Sequence, residues 1–396
     1  MALEQTWRWF GPGDPVTLPE IRQTGAVGIV TALHHVPVGE IWSVEEIGKR
    51  RDLIEGNGLR WSVAESLPVH EEIKKRSGRY RLWIDNFRES IRNLGKCGVG
   101  TLCYNFMPVL DWSRTDLHVR FRDGSMTTKF EASRFAAFDM FLLRRPGAEE
   151  GYTPEQVRRA RETFDGMTGE EKDRLTETVL LGLPGSLEAF SLDGLRSALG
   201  EYRDIGGTDL RANLVEFIRE IAPVAGESGV FLGIHPDDPP RTLLGLPRVV
   251  SNEPDLRAIL DAADSPSNGL TLCTGSLGAG IHNDVPAMAE KFAARINFIH
   301  LRNVARSGEG DFLEENHLEG DVDMYAVMRT LLAEQARRAR AGRKDVRLPM
   351  RPDHGHLMIP DESRKGIYPG YSLFGRMRAL AELRGLELGI ARSLGL

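Results

Sequence analysis

Four residues of different chemistry stand in short motifs that could together bind one divalent metal. They are His235 in HPDDPP, Cys273 in CTGS, His300 in HLR and Asp353 in RPDHGH. Two imidazoles, a thiolate and a carboxylate make a donor set suited to a transition metal. Singly, each has a plainer reading. A histidine near a strand end is usually a hydrogen-bonded core or surface residue, a lone cysteine a small buried hydrophobe, and Asp353 a helix cap. Cations and proton carriers surround the four. Arg302 lies two residues beyond His300, Arg351, His354 and His356 share the stretch MRPDHGH, and Asp237 and Asp238 follow His235. Guanidinium groups pair well with carboxylates, so Arg302 and Arg351 read as contacts for an anionic substrate. His35, from the pair His34–His35, and Asp237 are added as substrate contacts. A metal beside such groups suits proton abstraction next to a carboxylate or carbonyl, with stabilisation of the resulting enediolate. Elimination and isomerisation share that first step, and these residues alone do not separate them.

Such a set acts only if the fold gathers it, and the chain shows an alternation of short β-branched runs and helical patterns. Candidate strands are Ala26–Leu33, Arg60–Glu65, Val99–Asn105, Val230–His235, Arg248–Ser251, Leu270–Gly275, Asn297–Arg302 and Leu348–Asp353. Ser43 reads as an N-cap with Glu45 and Glu46 in the first turn, and Gly56 and Gly58 as the stop. Ile84, Phe87, Ile91 and Leu94 have helical spacing. Eight strands alternating with helices predict a single-domain (β/α)8 barrel over residues 1–396, an α/β fold. An open doubly wound sheet would want a Gly-rich phosphate turn after its first strand, and VTALHHVP is none. Residues 107–205 break the rhythm. They are charged and poor in strand signals, and are read as a largely helical insertion after the third strand, over the C-terminal rim. In a barrel that rim carries the active site, and His235, Cys273, His300 and Asp353 all fall at strand ends facing it. His317 stands near Asp321 and Asp323; an aspartate N-cap is the reading there rather than a second acidic site.

The 396 residues are ample for a large core, and 41% hydrophobic and 27% charged residues are ordinary for a soluble protein. A net charge of −6 argues against a nucleic-acid binder. Met1–Asp14 lacks the pattern of a secretory leader, and no apolar run approaches the roughly 18 residues of a membrane span. Cys97, Cys103 and Cys273 are too few and scattered for a disulfide framework, so a cytoplasmic location is expected.

The stretches TWRWFGPGDPV, VTALHHVPVGEIW, CYNFMPVLDWSRTDL, HPDDPPR, GLPRVVS, LCTGS, HLR, GDVDMY, MRPDHGH and PGYSLFGRMRALAE resemble the mannonate dehydratase family, from Thr6 to about Glu382. The resemblance implies a barrel like that of xylose isomerase. It implies loss of water from D-mannonate to give 2-dehydro-3-deoxy-D-gluconate in hexuronate breakdown, with one Mn2+ or Fe2+ per chain. It implies His235, Cys273, His300 and Asp353 as metal ligands, His354 and Tyr371 (in PGYS) as the proton-handling pair, and a homodimer. Which of the pair is acid and which base stays open, and Tyr371 by itself is only a tyrosine in a Pro-Gly turn. Thiolate is soft and Mn2+ hard, so the donor chemistry alone favours zinc, iron(II) or cobalt. The alternatives are a metal-dependent sugar isomerase or epimerase on the same barrel, a nuclease-like barrel, which would need a basic face, and a non-catalytic sugar-acid sensor.

Overall fold

The computed structural model describes residues 2–181, 191–308 and 310–396. Among the described residues twelve strands are numbered in chain order. Eight close into an all-parallel barrel: β1 (Glu4–Arg8), β2 (Gly28–Thr31), β3 (Arg60–Glu65), β4 (Thr101–Tyr104), β7 (Phe231–Ile234), β8 (Asn268–Cys273), β9 (Ile296–His300) and β12 (Pro349–Arg351). The barrel order β1-β12-β9-β8-β7-β4-β3-β2 brings first and last strands together, Glu4 pairing with Pro349 and Gln5 with Met350. Its centre is filled by Val30, Val63, Cys103 and Phe298. A larger apolar layer, including Trp7, Ile29, Trp61 and Leu102, lies between strands and helices. The two layers follow from side chains alternating across each strand.

Local sequence explains the helices. Ser43 caps helix Val44–Glu55 by accepting from the Glu46 amide, and Gly58 turns the chain back at φ +72°. Helix Tyr80–Lys96 buries Ile84, Phe87, Ile91 and Leu94 along one face. Asp323 caps helix Met324–Arg340 by accepting from the Ala326 amide, which is the role expected for an aspartate beside His317.

Two strand assignments change. β1 was not anticipated, and Arg248–Ser251 is not a strand. That run is buried in a loop where the Val250 amide and Ser251 hydroxyl donate to Asp237. Helix Glu253–Ala262, capped by Asn252, begins at once and leaves no room to extend. The long excursion therefore follows the fourth barrel strand, not the third.

That excursion carries helices Ala132–Ala137, Pro154–Gly166, Gly169–Leu181 and Leu192–Gly200, and also a hairpin, β5 (Asp116–Arg120) and β6 (Met126–Phe130). Residues 182–190 lie outside the described residues. The hairpin turns at Asp123-Gly124, with Gly124 at φ +89°, a dipeptide suited to tight reversals. It joins a second hairpin, β10 (Asn303–Ser307) and β11 (Asp311–Glu315), in an antiparallel sheet of order β10-β11-β6-β5. Phe130 stacks on Phe312 across the junction, centroids 5.6 Å apart. Both hairpins leave the barrel just after the C-terminal ends of β4 and β9, so this sheet stands at the C-terminal rim.

Candidate active site and metal centre

The C-terminal strand ends converge as the sequence pattern requires. His235 follows β7, Cys273 ends β8, His300 ends β9 and Asp353 lies two residues past β12. Ligand atoms of His235, Cys273 and His300 all lie within 4.8 Å of one another. Asp353 borders them, 3.6 Å from Cys273 Sγ and 3.7 Å from His300 Nδ1. Asp353 has the unusual φ of +20°. His235 Nδ1 lies 2.7 Å from the Pro236 carbonyl. A carbonyl only accepts, so Nδ1 carries the proton and Nε2 presents its lone pair to His300 Nδ1, 3.1 Å away. His300 Nε2 accepts from Arg351 Nε at 3.1 Å, with the Glu65 carboxylate 3.4 Å away. Two facing imidazole nitrogens, a thiol and a carboxylate, with His235 half-buried and the other three buried, fit a single transition-metal ion.

The charge states agree with that fit. Burial lowers both imidazoles, His300 strongly with Arg351 adding to the effect, so both are neutral. Burial alone would raise Asp353, but Arg351, His354, His300 and Arg302 hold it well below the carboxylate range. Burial, reinforced by Asp353, pushes the Cys273 thiol up to about 12. A cation bound there would displace that proton, as thiolate ligation requires.

A buried ionic network frames the four. Arg351 clasps Glu65 with Nη2 and Nε at 2.9 and 3.1 Å and reaches Asp353 at 2.6 Å. Arg302 binds Asp238 at 2.7 Å, Asp353 at 3.1 Å and Glu314 at 3.2 Å. Arg114 bridges Asp238 and Glu314 at 2.8 and 2.7 Å. Gly275 makes room for this, because a Cβ there would lie 2.1 Å from Arg302 Nε. Both arginines read from the sequence as substrate contacts are thus engaged with protein carboxylates; two buried nitrogens of Arg302, Nε and Nη2, make no hydrogen bond.

His354 and Tyr371 come from segments joined where the Gly355 amide donates to the Gly370 carbonyl. Their rings pack edge to face, centroids 5.3 Å apart. Gly370, at φ +82°, closes the turn against the His354 ring. His354 Nδ1 lies 3.2 Å from Glu314 Oε1. That carboxylate is held down to about 2: burial opposes this, but Arg302, His354 and Arg114 outweigh it. Burial raises the Tyr371 phenol to about 12, against the pull of Arg351. A small cavity of about 40 Å³ opens beside His354, lined also by Arg302, Glu314, Thr127, Thr128 and Tyr368. It reaches His354 but not the His235–Cys273–His300 cluster.

Two expected substrate contacts are elsewhere. His35 is exposed and paired with Glu46 at 2.8 Å; its neighbour His34 faces inward, 3.4 Å from Arg8. Asp237 is buried and occupied by Val250 and Ser251. Conversely, Arg8, Glu65, Arg114 and Glu314 were not singled out. Alternation gave a signal for two of them: Thr6 and Arg8 share a face of β1 opposite Trp7, and Glu314 shares the face of the buried Phe312 on β11.

A closed parallel barrel of this topology has the xylose isomerase-like (β/α)8 fold. A protein of that description from Mycobacterium smegmatis, solved in complex with magnesium, shares the fold at TM-score 0.52 and 13% identity, covering 98% of this chain and 97% of that one. The family described as D-mannonate dehydratase (UxuA) matches residues 3–394. The chain is 52% identical over 389 residues to the mannonate dehydratase of Chromohalobacter salexigens, covering 98% of this chain and 99% of that one. It is 50% identical to that of Saccharophagus degradans, covering 97% of both chains. The crystal structure of mannonate dehydratase from Streptococcus suis matches at TM-score 0.77 and 35% identity, covering all of this chain and 95% of the other. The chain belongs to the D-mannonate dehydratase family, whose members are lyases.

Proposed function

We propose that the protein removes water from D-mannonate to give 2-dehydro-3-deoxy-D-gluconate, using His354 and Tyr371 to move the protons. The observation that carries the reading is the pairing of these two side chains beside Asp353, with His354 Nδ1 on Glu314 at 3.2 Å. That hydrogen bond commits Nδ1 and leaves Nε2 as the nitrogen free to take a proton, so His354 is the base for C2. The Tyr371 phenol, pushed up to about 12, stays protonated at neutral pH and is the acid that delivers a proton to the departing C3 hydroxyl. The C2–H bond and the C3–O bond break, water leaves, and the enol product tautomerises to the 2-keto acid. His235, Cys273, His300 and Asp353 are the residues that would hold one divalent cation, Mn2+ or Fe2+. Bound there, it supplies positive charge that offsets the charge developing on the substrate as the C2 proton departs. Burial of Cys273, His300 and Asp353 keeps water from their donor atoms.

Residues 107–205 are proposed as the cover of the barrel mouth, supported by the Arg114 contacts with Asp238 and Glu314. Among the described residues no helix is long and apolar enough to cross a membrane. Three free, buried cysteines, one of them the proposed ligand Cys273, support a reducing cytoplasm as the compartment. A homodimer and a place in hexuronate breakdown are proposed from family membership. The deciding experiment is chelation, then anaerobic incubation with D-mannonate and added Mn2+ or Fe2+, scored by mass. A product lighter by one water, formed only after metal is restored, supports the reading. A product of unchanged mass points to an isomerase or epimerase, and no reaction with either metal removes the proposed activity.

A further inference from the structure

Three guanidinium groups reach the barrel mouth from strand ends, and two of them are paired with protein carboxylates. Arg351 is clasped by Glu65, and Arg302 by Asp238, Asp353 and Glu314. Arg8, the last residue of β1, is different. It is 6% exposed, and among the described residues its one side-chain hydrogen-bond partner is the His34 ring, 3.4 Å from Nη2. Its Nη1 is buried with no partner. Alternation along β1 sends Arg8 inward: Trp7 lies in the outer apolar layer, and Arg8 pairs in register with Val30, a residue of the barrel's inner cluster. The guanidinium can only donate, so His34 Nε2 accepts from it. Neutral His34 then carries its proton on Nδ1, which is also buried without a partner. Two unsatisfied donors, one charged, therefore stand side by side at the barrel mouth. A buried cation without a counter-charge is costly unless an anion completes it.

We propose that Arg8, together with His34, is the anchor for the substrate's carboxylate, in place of the Arg302 and Arg351 pair that the sequence suggests. The proposal deepens the dehydratase reading and rests on it for the location of the substrate. A sugar acid reaching Arg8 also lies near Tyr371, because the Arg8 guanidinium carbon is 4.8 Å from the centre of the Phe10 ring and Phe10 packs edge to face on Tyr371. The carboxylate is the one group that distinguishes a sugar acid from its alditol, so Arg8 would set that specificity.

The test uses the metal-loaded protein and calorimetric binding of two probes, D-gluconate and its uncharged counterpart D-glucitol. Wild type should bind D-gluconate at least about tenfold more tightly than D-glucitol, since hydrogen bonds to a charged group are worth that much. Arg8→Gln should weaken D-gluconate binding by about tenfold to a hundredfold and leave D-glucitol unchanged. Its melting temperature should hold or rise, because an unpaired buried charge is gone. Arg8→Lys keeps the charge but loses the fork, and should weaken D-gluconate alone by a smaller factor; it decides the matter if the Gln variant does not fold. Unchanged D-gluconate binding in the variants, no preference for D-gluconate in wild type, or equal loss of both probes overturns the proposal. Binding is read without turnover, so failure to dehydrate D-mannonate would sink the reaction and leave the anchor standing.

Discussion

Replacing Glu314 by glutamine removes one negative charge from the junction between the rim sheet and the barrel. Glu314 is buried, and its carboxyl is held at about 2 against an ordinary 4.5. At about 1.4 kcal/mol per pH unit, that depression corresponds to about 3 kcal/mol of stability at neutral pH. Breaking a buried ion pair can cost more, about 3–5 kcal/mol, when it strands a charge. Here it strands none. Arg114 keeps Asp238, and Arg302 keeps Asp238 and Asp353. The lower figure therefore applies, and for a chain of this size it lowers the melting temperature by roughly 4 °C. The sign of the pH dependence is fixed. A depressed carboxyl contributes fully above its unfolded value and loses that contribution as pH falls from about 4.5 towards 2. The gap between wild type and Glu314→Gln should be widest at pH 7 and close across that window, followed by circular dichroism melts. Turnover adds a second readout. Without the carboxylate on Nδ1, His354 loses its orientation, so kcat should fall by about tenfold to a hundredfold. KM should stay within about threefold of wild type, with metal content unchanged. A stability gap that persists unchanged to pH 2 would refute the electrostatic argument. An unaffected kcat would refute the coupling of Glu314 to His354, whatever the stability.

Two further expectations concern single side chains. Tyr371→Phe removes only the phenol oxygen from a ring packed against His354 and Phe10, so the variant should keep its metal and fold yet lose at least about a hundredfold in kcat; near-normal turnover with D-mannonate would take Tyr371 out of the mechanism. Asp237→Ala strips the acceptor from the Val250 amide and the Ser251 hydroxyl, which should destabilise by about 2–4 kcal/mol in urea unfolding while the folded fraction keeps a normal KM. A large rise in KM at full stability would restore Asp237 as a substrate contact.

What the sequence revealed and what it hid divide along a physical line. Strands such as Arg60–Glu65 and Asn268–Cys273 are visible because β-branched and apolar residues fill both barrel faces. RVVS at 248–251 has the same composition but is buried as a loop by Asp237, and local apolarity does not distinguish the two. β1 fails in the opposite sense: EQTWR places Thr6 and Arg8 at inward positions, so its apolar pattern reduces to Trp7 alone. The four proposed ligands were legible because each belongs to its own strand end and needs no knowledge of pairing. Glu314 was not, because its role depends on two hairpins, Asp116–Phe130 and Asn303–Glu315, meeting in one sheet. Their contact spans far more chain than any local window covers.

The residues that spoiled the strand pattern are therefore the informative ones. A charged side chain at an inward strand position is unfavourable for a core, and it persists where the surrounding structure compensates it or where a ligand does. Glu65, at the inner end of β3, is compensated by Arg351. Glu314 is compensated by Arg114 and Arg302. Among the described residues Arg8 has no carboxylate paired with it; its guanidinium faces the Phe10 ring and His34. By the same logic that explains the other two, the proposed counter-charge for Arg8 is the carboxylate of the substrate.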